Sequence, residues 1–229
     1  MSRKLNLPRP PGRGWIVLIG GGEFSFGETA EIDRFLLERI PAQRKRLRFL
    51  PTASGSMDYP RHFGAYIQGL DPDVEFMSIP IYRTRDARRE KNLALIRGSG
   101  IVYLGGGVSG TIAEVLRQPQ VMDAFREVLL DGGIIAAIGG AAAALGAVIG
   151  DPAPDAAAPC GLDLIPGSAI VAPLDPADDH QLRALSSLPA VTVGIGIPAR
   201  TAVAIGPEGA STILGEGSIA IVRKPPPEQ

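Results

Sequence analysis

The sequence predicts an α/β fold, in which a doubly wound, mostly parallel sheet carries helices on both faces and additional mixed strands come from the C-terminal third. Short apolar runs alternate with amphipathic segments of helical period as far as residue 138. Such alternation produces right-handed crossovers and a parallel sheet. Beyond residue 160, short apolar runs separated by Gly and Pro follow one another with a single helical pattern among them, which is typical of added strands.

The first strand and helix establish the pattern. The apolar run Trp15–Ile19 ends at three consecutive glycines, as a buried strand does where it meets a tight turn. Apolar residues at helical spacing then predict a helix over 29–39, which Pro41 ends. The alternation continues with strands at 47–50, 74–79, 101–104 and 134–138 and with helices near 59–70, 87–96, 111–116 and 121–130. In the C-terminal third we expect strands at 170–172, 191–195, 201–205, 211–214 and 219–222 and a helix near 178–185.

The length of 229 residues favours one domain with a single core. We assign this domain to residues 15–223. The basic, proline-containing segment 1–14 and the segment 224–229 are expected to be flexible tails. Pro, Ala and Asp at 151–159 show no periodicity and predict a surface loop within the domain.

Composition argues against several classes of partner and cofactor. The 23 basic and 24 acidic residues give a net charge of −1, which lacks the cationic excess of nucleic-acid-binding proteins. The single cysteine, Cys160, cannot form an internal disulfide, and two histidines cannot build a His-rich metal site. We therefore expect a reduced, cytoplasmic protein without metal or cofactor. The uncharged run 132–150 is too rich in Gly and Ala for a membrane span and predicts a strand, a tight turn and a close-packed helix.

Four strand ends should meet in one crevice. Ligands of open α/β sheets bind beyond the carboxyl ends of the strands. The segments that follow Ile19, Leu50, Leu104 and Ile138 are therefore expected to line the same crevice.

A glycine-rich segment at 105–110 fits the pattern G-x-G-x-x-G between a strand and a helix, so a nucleotide-binding protein is one alternative. The acidic residue that follows at about the required distance, Asp131, precedes the next strand instead of ending it. Whatever the ligand, glycines before a helix expose backbone N–H groups that favour an anion or an oxyanion.

The segment 138–144 supplies the small residues that a nucleophile elbow requires between a strand and a helix. No Ser, Thr or Cys occurs between residues 131 and 150, so no nucleophile stands there. Ser54 and Ser109 follow other strands of the same crevice, and His62 belongs to a neighbouring helix. An active hydrolase with one of these serines as a relocated nucleophile, and His62 as base, is therefore a second alternative.

Six stretches, in this order along the chain, resemble the cyanophycinase and dipeptidase E type serine peptidases, whose fold is like that of class I glutamine amidotransferases. The stretches are Gly-Gly-Gly at 20–22, Leu-Pro-Thr-Ala-Ser-Gly at 50–55, Tyr-Leu-Gly-Gly-Gly at 103–107, Gly-Gly-Ile-Ile-Ala at 132–136, Gly-Leu-Asp-Leu-Ile-Pro at 161–166 and Gly-Ile-Gly-Ile at 194–197. The resemblance implies a glutamine amidotransferase-like, flavodoxin-like sheet.

The resemblance also implies a catalytic triad, and this sequence departs from it at each member. The family carries serine in a Gly-x-Ser-Ala-Gly-Ala elbow, where this chain has Ala141 in one register or Gly139 in the other. The family histidine lies in an Asp-Gln-His-Phe segment, and in the matching segment of this chain Leu174 stands in place of the histidine. The family acid follows the Gly-Ile-Gly-Ile strand, where this chain has Ala199.

We therefore expect a catalytically inactive relative with a binding or regulatory role, whose crevice accepts a small anionic or peptide-like ligand. Leu174 is expected to fill part of this crevice. A homodimer is consistent with the resemblance. The residues expected to contact the ligand are Gly105, Gly106, Gly107, Gly140 and Ala142.

Overall fold

Two sheets organise the computed structural model, which describes residues 5–56, 58–150 and 160–224. The strands are β1 (Trp15–Ile19), β2 (Arg46–Leu50), β3 (Glu75–Ser78), β4 (Ile101–Leu104), β5 (Ile134–Ile138), β6 (Ser168–Val171), β7 (Val193–Gly196), β8 (Thr201–Ile205), β9 (Ser211–Gly215) and β10 (Ala220–Arg223). Seven of them form a sheet of order β3-β2-β4-β5-β1-β8-β9, parallel from β3 to β1 and antiparallel at β8 and β9.

Helices cover both faces of the larger sheet, as the sequence predicts. The helices are α1 (Ala30–Arg39), α2 (Tyr59–Leu70), α3 (Thr84–Ala87), α4 (Glu90–Arg97), α5 (Ser109–Leu116), α6 (Pro119–Leu130), α7 (Gly140–Ala144) and α8 (His180–Ser187). Side chains alternate along a strand, and in β1 Val17 and Ile19 pack toward α1 and α2, whereas Ile16 and Leu18 join the core beneath α4 to α7. Both faces are therefore buried, which explains the continuous apolar runs.

The C-terminal third contributes to two sheets, and the expectation of one sheet is wrong for three of its strands. β8 and β9 extend the main sheet beside β1. In contrast, β6, β7 and β10 pair with one another in a separate three-stranded sheet. Helix α8 covers that sheet with Leu182 and Leu185, which bury a small core of their own. β6 and β7 are buried along their whole length, as β8 is, so the apolar pattern of these strands fits either sheet.

The N-terminal segment packs against the domain from residue 5 onward, so the prediction of a flexible tail over 1–14 is wrong for residues 5–14. Leu7 is buried, and its backbone N–H donates to the Gly209 carbonyl oxygen at 3.0 Å. The Arg9 guanidinium donates to three carbonyl oxygens of its own segment. Residues 1–4, the predicted loop 151–159 and residues 225–229 lie outside the described part of the chain.

The helix predicted near 87–96 forms as α4, and a separate short helix, α3, precedes it. The Asp86 carboxylate accepts the backbone N–H of Arg83 at 3.2 Å and so caps the start of α3. The uncharged run 132–150 forms β5, a tight turn and α7, as predicted. Within the described residues, no helix combines the length and apolarity that crossing a membrane requires.

Candidate functional site

One crevice of about 450 Å³ opens at the carboxyl ends of β1, β2, β4 and β5. All four strand-end segments that the sequence predicts contribute to it. The parallel strands place their carboxyl ends at one edge of the sheet, so loops distant in sequence meet there. The described lining residues are Gly21, Gly22, Phe49, Ala53, Ser54, Gly55, Ser56, Tyr59, Gly105, Gly106, Gly107, Ile138, Gly139 and Gly140.

The turn between β5 and α7 has a backbone that only glycine adopts readily. Gly139 has φ 58° and ψ −125°, a conformation that costs an L-residue roughly 1–3 kcal/mol. Its N–H donates to the Ile19 carbonyl oxygen at 2.8 Å, which ties the turn to β1. A Cβ added to Gly139 would meet no neighbouring heavy atom of the described residues within 4 Å. A side chain at this position would therefore project into the crevice.

The backbone geometry distinguishes the two elbow registers that the sequence leaves open. Ala141 lies inside α7 and is fully buried in the core. Gly139 instead precedes the helix, has the strained conformation and lines the crevice. A strained residue between strand and helix is the defining feature of a nucleophile elbow, and of the two positions only Gly139 has this geometry.

The glycines that form this edge of the crevice are required by close packing of backbone against backbone. A Cβ on Gly140 would overlap the carbonyl oxygen of Gly107, and a Cβ on Gly107 would overlap that of Ala53. Gly105 lies against the ring of Phe49. The glycine spacing of 105–107 is thus explained by loop packing, without a bound nucleotide.

Four of the five predicted ligand contacts, Gly105, Gly106, Gly107 and Gly140, line the crevice. Gly140 is the first residue of α7, so its N–H has no acceptor within the helix. The structure differs from the prediction for Ala142, which is fully buried in the core and does not line the crevice. Helical periodicity turns the third residue of a helix away from the face of the first.

An aromatic wall, defined here as Phe49 and Tyr59 with Phe24 and Phe63 behind them, closes the opposite side of the crevice. Tyr59 stacks on Phe63 with ring centroids 6.4 Å apart, and Phe24 meets Tyr59 edge to face at 5.3 Å. The ring centroids of Phe49 and Phe63 are 5.3 Å apart. Burial, together with the negative charges of Glu23 and Asp33, raises the pKa of Tyr59 to about 12. Its hydroxyl is therefore protonated at neutral pH.

The sequence reasoning missed this wall, although a signal existed. Phe49 is the penultimate residue of β2, where alternation points it toward α2. Tyr59 begins α2, immediately after the hydroxyl-rich loop that was expected to reach the crevice. An aromatic residue at the first position of the following helix is well placed to flank a strand-end site.

Behind the aromatic wall, the buried carboxyl group of Asp33 is incompletely hydrogen-bonded. The Thr29 hydroxyl donates to Asp33 Oδ2 at 2.7 Å, and the Tyr66 hydroxyl donates to the same oxygen at 3.0 Å. Asp33 Oδ1 has no hydrogen-bond partner among the described residues. Burial raises the pKa of Asp33 to about 6, although both hydroxyls and Arg34 act in the opposite direction.

The serines and the histidine of the relocated-nucleophile alternative do not come together. Ser54 Oγ donates to the Ser56 carbonyl oxygen at 3.0 Å and so stabilises its own loop. His62 is exposed, and its Nε2 lies 3.3 Å from the Arg61 guanidinium. Ser109 is the first residue of α5. Across residues 5–56, 58–150 and 160–224, no hydrogen bond joins a serine hydroxyl or the cysteine thiol to a histidine ring.

The segments expected to replace the base and the acid approach the crevice at Gly21. A Cβ on Gly21 would lie 3.8 Å from the Pro173 Cβ and 4.0 Å from the Ala199 Cβ. Leu174, which was expected to fill part of the crevice, is instead buried in the small core beside Leu182. That expectation is wrong because neighbouring residues of an extended segment face opposite sides, and Pro173 is the residue on the crevice side.

Comparison with known proteins identifies a family and relatives that this chain resembles. The model of peptidase family S51 matches residues 16–151, more than half of the chain. The "Uncharacterized peptidase YgaJ" of Bacillus subtilis (strain 168) is 26% identical over 125 residues, which are 54% of this chain and 52% of that protein. The chain thus matches about half the length of this curated relative.

Two solved structures share the fold over nearly the whole chain. A crystal structure of a peptidase from an acI-B1 Actinobacterium superposes with a TM-score of 0.78 at 20% identity, covering 96% of this chain and 95% of the other. The structure of a protein named as a peptidase E from Listeria monocytogenes EGD-e gives a TM-score of 0.57 at 14% identity, with coverages of 93% and 99%. At these identities the likeness shows the fold alone.

Proposed function

The chain belongs to peptidase family S51, and from this premise we propose that it is a catalytically inactive member that binds a small anionic or peptide-like ligand in its crevice. Its role is then binding or regulation instead of hydrolysis. The alternative within the same family is a hydrolase that uses a relocated serine.

The observation that carries the proposal is the glycine at the elbow. Covalent acyl transfer requires a hydroxyl or thiol that reaches the scissile carbonyl from this turn. Gly139 retains the strained backbone and the open space for a side chain, but it supplies no nucleophile. Removing the nucleophile alone lowers kcat by roughly a millionfold in a serine protease.

The neighbouring positions support the same conclusion. Pro173 and Ala199, which approach Gly21, carry no group that takes up or releases a proton. These two positions therefore supply neither a base nor an orienting acid to a nucleophile placed at the elbow. Three independent losses in one catalytic unit are consistent with the loss of the reaction itself.

The crevice itself supports retained binding. Its volume of about 450 Å³ falls within the range of roughly 300–1,000 Å³ that is usual for small-molecule sites. The N–H of Gly140 is available where an oxyanion or a peptide carbonyl would lie in an active relative.

Labelling with a fluorophosphonate probe, combined with hydrolysis assays on aspartyl dipeptides and cyanophycin, tests the catalytic part of this proposal. We expect no covalent label and no turnover above the buffer rate. Ser54→Ala and Ser109→Ala are the matched variants. Labelling of the wild-type protein that one of them abolishes would overturn the proposal and identify the relocated nucleophile.

A further inference from the structure

The side chains that line the crevice are almost entirely uncharged and apolar. Apart from glycines, the described lining consists of Phe49, Ala53, Ser54, Ser56, Tyr59 and Ile138. A charged ligand group that entered would lose its hydration without meeting an opposite charge among these residues. The lining therefore favours an uncharged group, and its largest surfaces are an aromatic ring pair and an aliphatic side chain.

The polar side chains of the lining have little capacity left for a ligand. Ser54 and Ser56 hydrogen-bond within their own loop, and Ser56 Oγ accepts the backbone N–H groups of Asp58 and Tyr59, each at 3.3 Å. The Tyr59 hydroxyl is neutral at physiological pH. The polar groups left to a ligand are therefore the neutral Tyr59 hydroxyl and the backbone of the lining glycines, which suit an uncharged amide.

Two exposed apolar side chains lie close in sequence to lining residues of the crevice. Phe26 and Val108 are 82% and 68% exposed and are the most exposed large hydrophobic residues that the structure describes. Val108 follows the lining residue Gly107, and Phe26 lies four residues after the lining residue Gly22. Exposed apolar groups beside a crevice commonly mark a binding surface.

One pair of charged side chains near Gly22 compensates itself. Arg200, whose Cγ lies beside Gly22, faces Glu28 at 4.0 Å, so this pair adds no net charge that would attract a ligand. Glu23, which follows Gly22, adds a negative charge that acts on Tyr59. The charges near the rim therefore disfavour an acidic ligand, and the uncharged lining disfavours burial of either sign of charge.

We propose that the crevice binds a short, uncharged peptide segment, with one aromatic or large aliphatic side chain held against Phe49, Tyr59 and Ile138. The peptide carbonyl of that residue lies at the glycine edge, near Gly140. Apolar neighbours in the peptide extend over Phe26 and Val108. This inference rests on the proposed binding function and narrows its ligand class to a peptide without charge.

Titration calorimetry on the full chain with blocked amino acids tests the ligand class. The probes are N-acetyl-L-phenylalaninamide, N-acetyl-L-leucinamide and the matching aspartate and lysine derivatives. We expect the phenylalanine and leucine probes to bind at least tenfold more tightly than the charged probes. Tighter binding of the aspartate or the lysine probe would overturn the inference and leave the proposed binding function intact.

Two variants of Tyr59 assign the contact to the aromatic ring. Tyr59→Phe retains the ring and should bind the phenylalanine probe as the wild type does. Tyr59→Leu should weaken binding roughly three- to tenfold, the amount expected for a lost aromatic pair. Equal affinities of the two variants would contradict the proposed position of the ring.

A rim variant keeps the test valid if substitutions of Tyr59 disturb folding. Phe26 is exposed, so Phe26→Ser should fold normally. We expect this variant to bind N-acetyl-Leu-Phe-Leu-amide more weakly than the wild type and to bind the single-residue probe unchanged. An unchanged affinity for the longer peptide would overturn the rim contact.

The outcomes separate this inference from the proposed function. Failure of every probe to bind, at concentrations up to the millimolar range, would overturn both the inference and the binding part of the proposed function. Hydrolysis of a probe would overturn the proposed lack of catalysis. The order of affinities among the probes would still test the ligand class.

Discussion

The two sides of the crevice are built on opposite principles. The glycine edge is made of Gly106, Gly107, Gly139 and Gly140, and at two of them, Gly107 and Gly140, neighbouring backbone lies so close that it excludes a Cβ. The aromatic wall is defined by large side chains that pack against Tyr59, Phe24 edge to face and Phe63 stacked. One side therefore depends on the absence of side chains and the other on their volume.

For the inactive relative that we propose, the difference indicates which part of a catalytic scaffold persists after the loss of its catalytic groups. The loop contacts around Gly140 are needed for the strand and helix to pack, so they remain whether or not a reaction occurs. Gly139 differs from Gly140 because a Cβ there would meet no described neighbour, so a side chain would cost backbone strain but no overlap. Packing thus fixes the identity of Gly140, whereas only the backbone conformation limits that of Gly139.

Gly→Ala substitutions at positions 139 and 140 give the largest expected change in the free energy of unfolding. They test directly whether packing constrains position 140 and not position 139. Gly140→Ala places a Cβ onto the Gly107 carbonyl oxygen, so backbone must move; we expect a loss of more than about 3 kcal/mol in the free energy of unfolding. Gly139→Ala meets no neighbour but strains the backbone, and should cost about 1–3 kcal/mol. Urea denaturation of both variants measures the difference.

Circular dichroism of the folded baselines provides the control for these two variants. A matching fold before denaturation shows that each free energy refers to the same native state. If Gly139→Ala proves as damaging as Gly140→Ala, the elbow is constrained by packing, and the functional interpretation of Gly139 loses its basis.

The parallel core could be predicted from the sequence because its central strands are buried on both faces. The apolar runs at β1, β4 and β5 are continuous, and glycine or proline ends them, so local pattern and tertiary environment agree. The division of the C-terminal strands between two sheets could not be predicted. Strand pairing depends on long-range contacts, and the runs of β7 and β8 have the same apolar character.

The candidate site was predictable to the level of segments but not of single side chains. All four strand-end segments meet at the crevice, since topology alone brings them together. The assignment of Leu174 failed by one residue, and in an extended segment one residue exchanges the two faces. Asp33 was missed because its burial depends on Tyr66 of another helix, which no local pattern reveals.

A buried charge lies behind the aromatic wall, and Asp33→Asn tests its cost. The pKa of Asp33 is raised from 3.8 to about 6 in the folded protein, so the native state binds a proton more tightly than the unfolded chain does. Its destabilising contribution is absent below pH 4, grows as pH rises from 4 to 6, and is constant above that range. At about 1.4 kcal/mol per unit, the cost approaches about 3 kcal/mol at pH 8.

We therefore expect the stability of Asp33→Asn, relative to the wild type, to increase by up to about 3 kcal/mol between pH 4 and pH 8. Chemical denaturation at several pH values measures this slope. Asp123→Asn, which changes an exposed carboxylate on α6, is the matched control and should show little slope. A slope for Asp33→Asn no larger than that of the control would show that Asp33 remains ionised at little cost.

The smallest expected change in the free energy of unfolding concerns Ser56, in the loop that leads to Tyr59 at the start of α2. Ser56 Oγ accepts the backbone N–H groups of Asp58 and Tyr59 at the start of α2, so Ser56→Ala removes these contacts and should lower the free energy of unfolding by about 0.5–1 kcal/mol. Ser109→Ala, at the first position of α5, should stay within about 0.5 kcal/mol of the wild type. Hydrogen exchange at the Tyr59 amide should quicken in the Ser56 variant. Unchanged exchange there would mean that ring packing alone holds Tyr59, and the wall would then be independent of the loop that leads into it.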